Sequence, residues 1–148
     1  MDDLERLVAI EQIKQLKARY FRCLDTKDWE GFAEVFTADA VMDMRGEMRD
    51  GTTEGDGLVT GAREIAAFVR GAVDKVSTVH HGHMPEIEIT SPTTATGVWA
   101  MEDKLWWPEG APLRAMHGYG HYHEQYVRTD DGWRIAHTTL TRLRVDVS

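Results

Sequence analysis

The stretch VSTVHHGHMPEIEITSPTTATGVWAMEDKLWW, residues 76–107, decides how the chain is read. It contains two long runs, 76–89 and 95–107, rich in β-branched and aromatic residues and separated by the turn-forming Ser91-Pro92-Thr93. Two more such runs, 114–128 and 133–145, come after Pro108-Glu109-Gly110 and Asp130-Asp131-Gly132. Turns at these intervals predict four long strands joined as neighbours in an antiparallel meander. Toward the N-terminus the apolar period becomes helical. Leu4, Leu7, Val8, Ile10, Ile13, Leu16, Tyr20 and Leu24 predict a first helix over 4–24, with Asp2 or Asp3 as its cap. Asp28 predicts the cap of a short second helix that turns Trp29, Phe32, Val35 and Phe36 inward. A short strand is expected at 40–44 and an exposed loop at 45–57. Ile65, Phe68, Val69 and Val73 then predict a third helix over 61–74. Three helices ahead of a strand meander argue for an α+β fold, with the helices packed on one face of a curved antiparallel sheet that encloses a cone. Partly apolar concavities of that kind hold small ligands.

The 148 residues form one domain, and 42% hydrophobic content is enough to bury a core. Asp and Glu number 25 against 17 Lys and Arg, a formal charge of −8 that repels phosphate backbones and anionic lipid, so neither nucleic acid nor a membrane is expected as partner. The single cysteine, Cys23, can form no internal disulfide and suits a reducing compartment, which points to the cytoplasm. No apolar run is long enough for a membrane span, and the acidic Met1-Asp2-Asp3 is unlike an export signal.

Several side chains could carry chemistry. Asp25 falls at the end of the first helix, where the macrodipole opposes a carboxylate, so a cation or hydrogen-bond donor should compensate it unless it only caps the next turn. Alternation on the first long strand sets His81 and His83 on one face and His80 on the other, with Val76 and Thr78. An imidazole held by a carboxylate is a general base at neutral pH, so His80 with Asp25 would be such a dyad; the alternative is a structural histidine. His117, Tyr119, His121 and His123 share a face of the third long strand, but without a metal-ligand spacing motif they read as pocket lining or a subunit contact. Trp99, Trp106, Trp107 and Trp133 read mostly as core or interface. One of the adjacent Glu102 and Asp103 must face inward. Arg142 and Arg144, expected on a shared face, could neutralise it or hold an anionic ligand group.

The segments Ile10-Glu11-Gln12-Ile13 through Tyr20 and Asp25, Asp28-Trp29 to Phe36, Thr78-Val79-His80-His81 and Gly132-Trp133-Arg134-Ile135 together resemble the SnoaL-like branch of the nuclear transport factor 2-like superfamily. That branch includes scytalone dehydratase, bile-acid 7α-dehydratase and hexachlorocyclohexane dehydrochlorinase. The resemblance spans nearly the whole chain and implies the cone-shaped α+β barrel. It implies a catalytic pair at Asp25 and His80 and a pocket tyrosine at Tyr20, where the dehydrochlorinase has lysine. It also implies substrate-positioning groups at Asp103 and Arg142. The second pocket tyrosine of scytalone dehydratase has no counterpart in Val41-Met42-Asp43-Met44, and Leu105 stands near that enzyme's second histidine, which argues against scytalone as substrate.

The expectation is therefore a cofactor-independent dehydratase acting on a hydrophobic cyclic carbonyl compound. His80 would serve as base, Asp25 as its orienting partner and Tyr20 as donor, with Met44, Trp99 and Phe68 as apolar wall and no metal. An isomerase or cyclase on the same fold, or a binding module without turnover, are the alternatives. A homo-oligomer is expected, with the resemblance pointing to a trimer and a dimer as the alternative.

Overall fold

Asp2 begins the first helix by a reciprocal cap: its carboxylate accepts from the Glu5 N–H at 2.8 Å, and Glu5 accepts from the Asp2 N–H at 2.9 Å. In this computed structural model, which describes residues 1–47 and 56–148, that helix (α1) runs Asp3–Asp25. Helix α2 is Trp29–Glu34, capped by Asp28, and α3 is Ala62–Val73. The strands are β1 Phe36–Asp43, β2 Leu58–Thr60, β3 Ser77–Ser91, β4 Thr94–Trp106, β5 Ala115–Thr129 and β6 Gly132–Val147. Part of the loop expected at 45–57 falls at 48–55, outside the described residues.

The sheet order is β2-β1-β6-β5-β4-β3. β3 to β6 form the antiparallel meander expected from the turns. The sheet as a whole is mixed, because β1 lies parallel to β6 and antiparallel to β2. The three helices pack on this curved, unclosed sheet, giving the α+β cone. β2 has three residues, too few for any alternation to register, and β1 starts at Phe36, whose side chain serves the same core whether read as helix or strand. Ile13 and Leu16 of α1, Phe32 of α2, Ile65 of α3 and Tyr126 and Ile135 of the sheet are essentially inaccessible and knit the layers together. Each such side chain contributes roughly 1.5–3 kcal/mol through removal from water. Among the described residues, no helix is long and apolar enough to cross a membrane.

One irregularity corrects the sequence reading. Tyr119 pairs with Arg144 but Gly120 pairs with Arg142, so β6 carries an extra residue between the two arginines. A bulge of that kind reverses the facing of the residues beyond it. Arg142 therefore points into the concavity, while Arg144 stands in solvent, its side chain 72% exposed and bound to Asp146.

Candidate active site

The end of α1 meets the start of β3 at Asp25. One carboxylate oxygen accepts from the Thr78 hydroxyl at 2.9 Å and from the His80 ring Nδ1 at 2.7 Å; the other accepts from the His80 backbone N–H at 2.8 Å. Lys27 adds a positive charge behind Thr78, its Nζ donating to the Thr78 hydroxyl at 2.9 Å. The compensation that an acid at a helix C-terminus requires is thus supplied by three donors and a nearby cation. Burial pushes the Asp25 carboxyl upward, but the hydrogen bonds from the His80 ring, the His80 backbone and Thr78 outweigh it and hold the pKa below the usual carboxylate range. An ionised Asp25 can only accept, so the proton of a neutral His80 sits on Nδ1 and the lone pair on Nε2.

Nε2 faces β4, where Asp103 is the direct cross-strand partner of His80; it lies 3.9 Å from Asp103 Oδ2. Arg142 holds both oxygens of Asp103, at 2.6 and 3.0 Å. Gly118 makes this pair possible, because a Cβ there would collide with the Arg142 guanidinium and stand 2.5 Å from Asp103 Oδ1. The inward member of the Glu102–Asp103 couple is therefore Asp103.

These groups open onto a cavity of about 170 Å³. Its polar wall includes Tyr20, His80, Asp103, Tyr122, Thr138 and Arg142, and its apolar wall includes Leu24, Met42, Met44, Phe68, Leu105 and Leu140. Of the expected site residues, His80, Asp103, Arg142, Tyr20, Met44 and Phe68 line it, and Asp25 stands directly behind His80. Trp99 does not line it. Its indole is buried elsewhere in the core and donates to the Tyr126 hydroxyl at 2.9 Å. His80, and not His81, is on the cavity wall.

Two features are not apparent from the sequence. Tyr122 of β5 is a second cavity phenol, hydrogen-bonded to Tyr20, and burial together with the nearby Tyr20, Asp103 and Glu124 raises its pKa well above the ordinary phenol value. The signal that could have found it is the face opposite His117, Tyr119, His121 and His123: Gly118, Gly120, Tyr122, Glu124 and Tyr126 are all buried. The other feature is a fully buried ion pair, Lys17 with Glu124, at 2.9 Å. Lys17 sits on the apolar stripe of α1, four residues after Ile13.

The histidines of the other face make local pairs. Glu102 accepts from His83 at 2.9 Å and His117 at 3.1 Å, and Tyr119 stacks on His117 with ring centroids 4.3 Å apart. Among the described residues no group of three His, Cys, Asp or Glu side chains is arranged to hold a metal ion. Trp133 is core as expected, whereas Trp106 is 46% exposed.

The sequence profile of the SnoaL-like domain matches residues 5–139. The chain belongs to the SnoaL-like family. Solved structures with the same fold include a protein of Novosphingobium aromaticivorans provisionally assigned as an aromatic ring hydroxylase, 22% identical over 96% of this chain and 94% of that one, with a TM-score of 0.82. A provisionally assigned scytalone dehydratase from the same organism is 19% identical over 97% and 90% of the two chains (TM-score 0.82). Hexachlorocyclohexane dehydrochlorinase of Novosphingobium barchaimii is 19% identical over 99% and 94% (TM-score 0.80). Neighbours given such different reactions share an architecture with this SnoaL-like chain, and at these identities the likeness shows the fold alone.

Proposed function

We propose that this SnoaL-like protein is a cofactor-independent lyase that removes water from an uncharged, hydrophobic cyclic β-hydroxy carbonyl compound. The observation that carries this reading is the His80 ring, its Nδ1 anchored 2.7 Å from Asp25 and its Nε2 turned to a largely apolar cavity beside the Tyr20–Tyr122 phenol pair. In the proposed step, Nε2 takes the proton on the carbon next to the carbonyl, and Asp25 stabilises the imidazolium that forms. The Tyr20 hydroxyl donates to the oxygen that gains negative charge. The imidazolium then returns its proton to the departing hydroxyl, so that one C–H and one C–O bond break, a C=C bond forms and water leaves. Asp103 and Arg142, already neutralising one another, position the polar end of the substrate.

The side chains proposed for these roles, His80, Tyr20, Asp103 and Arg142, all line one cavity, which supports the reading. The test is turnover of a panel of cyclic hydroxyketones by the wild type and His80→Ala. Loss of about 10²–10⁴-fold is expected if the imidazole is the base, and full turnover by the variant overturns the reading. An isomerase is the second reading, favoured by the fact that His80 is the one histidine of the described cavity wall and could return its proton to another carbon. Products distinguish them, because only elimination changes the mass of the substrate. Exposed Met84, Trp106, Leu143 and Val147 on the sheet support self-association, as a trimer or dimer.

A further inference from the structure

The Lys17–Glu124 pair has no part in the proton transfer, yet it lies directly beneath the cavity. Both side chains are fully buried. Taking two charges out of water costs several kcal/mol per ion, and a pair of well-packed apolar residues would be about as stable, so stability alone does not account for it. Its placement is regular. Lys17 and Tyr20 are i and i+3 on α1, and Tyr122 and Glu124 are i and i+2 on one face of β5, so an ion pair and a phenol pair stack as two layers between helix and sheet.

The contacts are specific. Lys17 Nζ donates to Glu124 Oε2 at 2.9 Å and stands 3.7 Å from the Tyr20 ring centroid and 3.6 Å from that of Tyr122. The Phe21 ring is 5.1 Å away. Burial pulls the Lys17 pKa down from its ordinary value, and the charge and hydrogen bond of Glu124 act against that pull. Glu124 is held from its other sides by the Thr138 hydroxyl at 2.7 Å and the Tyr126 hydroxyl at 2.8 Å, and Tyr126 in turn accepts from Trp99. Three donors thus hold the Glu124 carboxylate, and through it the ammonium is fixed against the two phenol faces. A cation on a ring face draws electron density from the ring and, without water, is screened little. A phenol so polarised is a better hydrogen-bond donor through its hydroxyl.

We infer that Lys17 is a positioning residue: it clamps the Tyr20 and Tyr122 rings in one arrangement and strengthens their hydroxyls as a paired site for a phenolate- or enolate-like oxygen. Glu124 is the counter-ion that lets the ammonium remain there. This rests on the assignment of Tyr20 as donor to the developing oxyanion, but its test needs no turnover and so stands apart from the lyase reading.

The test is the binding of two near-isosteric probes, 4-nitrophenol, whose ionised form is coloured, and 4-nitrotoluene. The variant is Lys17→Met/Glu124→Gln, which removes both charges, preserves length and leaves one amide oxygen to accept from Thr138 or Tyr126, which bind different oxygens of Glu124; if it does not fold, Lys17→Gln/Glu124→Gln replaces it. The wild type should bind the phenolate in preference to nitrotoluene. The variant should weaken phenolate binding by about 30-fold, the size of a desolvated cation–π effect, with nitrotoluene binding changed by less than about 2-fold. In a Tyr20→Phe/Tyr122→Phe background, where there is no hydroxyl to act through, the charge-removing change should leave phenolate binding unaltered. Equal losses for both probes, no loss for either, persistence of the loss without the phenols, or a wild type that does not prefer the phenolate would each overturn the inference. Full turnover by His80→Ala, in contrast, would remove the lyase reading and leave this result intact.

Discussion

Replacing Asp25 by asparagine keeps the shape of the side chain and changes what it can accept. The carboxylate receives three hydrogen bonds through two oxygens, from Thr78, the His80 backbone and His80 Nδ1. An amide has one acceptor oxygen and one donor nitrogen. If the oxygen keeps the His80 backbone N–H, the nitrogen faces Nδ1, which must then accept, and the ring proton moves to Nε2. The base that faces the cavity is thereby lost although every heavy atom stays close to its place. The expected cost in turnover is about 10³–10⁴-fold, comparable to removal of the orienting acid from other carboxylate–imidazole pairs. If the amide adopts the other orientation, a buried backbone N–H is left facing a donor. Loss of charge-assisted hydrogen bonds should cost about 1–3 kcal/mol of stability in either case. Nitrogen-15 NMR of the His80 ring reads the tautomer without any substrate, and a denaturant melt reads the stability. Wild-type protein should carry the proton on Nδ1 and Asp25→Asn on Nε2. The same tautomer in both, or undiminished turnover by the variant, would refute the orienting role of Asp25.

The same geometry makes other outcomes measurable. Tyr20→Phe should lower turnover by about 10²–10³-fold, the usual loss on deleting an oxyanion donor, as steady-state kinetics on the substrate found by screening would measure. Gly118→Ala should dislodge Arg142 from Asp103, because the added methyl occupies the guanidinium's place; a crystal structure of the variant with the ion pair intact would contradict this. The folded-state pKa of Asp25 is lowered, so its contribution to stability is complete above the unfolded aspartate value of about 3.9 and is lost as pH falls through the folded value. Acid unfolding of the wild type compared with Asp25→Asn should show that difference vanish at the acid end. At the cavity edge, hydrogen bonds from Arg45 lower the Asp43 carboxyl to about 2, and Arg45→Ala should return it toward the ordinary value in a carbon-13 titration.

The fold is legible in the sequence wherever local pattern is strong. The caps at Asp2 and Asp28, the helical stripe of α1 and the turns between β3 and β6 all lie within short windows, and each element they predict is present. The parallel pairing of β1 with β6 is not legible, because it joins residues about a hundred positions apart and leaves no periodic mark. Simple alternation puts Arg142 and Arg144 on one face, and it fails because one extra residue in a strand inverts alternation without changing composition. Tyr122 and Lys17 are hidden for different reasons. The first sits among histidines that draw attention to the opposite face. The second is a lysine on an apolar stripe, a pattern that betrays a buried charge only when its counter-ion, Glu124 on a strand far along the chain, is known.

Two carboxylates flank the His80 ring, Asp25 behind it and Asp103 on the cavity wall, and their partners decide which of them can assist it. Asp103 lies 3.9 Å from Nε2, but Arg142 already binds both its oxygens, so its charge is balanced before any proton moves. Asp25 is 2.7 Å from Nδ1, and two of its three donors, a hydroxyl and a backbone amide, are uncharged. Charge formed on the ring is therefore met chiefly by Asp25, at hydrogen-bond distance and in a partly desolvated site where the attraction is large. Had Arg142 faced outward with Arg144, Asp103 would be a second unbalanced acid on the cavity side of the ring, repelling the enolate-like oxygen of the proposed reaction. The extra residue in β6 thus does more than bend a strand: by turning one arginine inward it balances Asp103, so that in the proposed reaction Asp25 is the carboxylate left to stabilise the imidazolium.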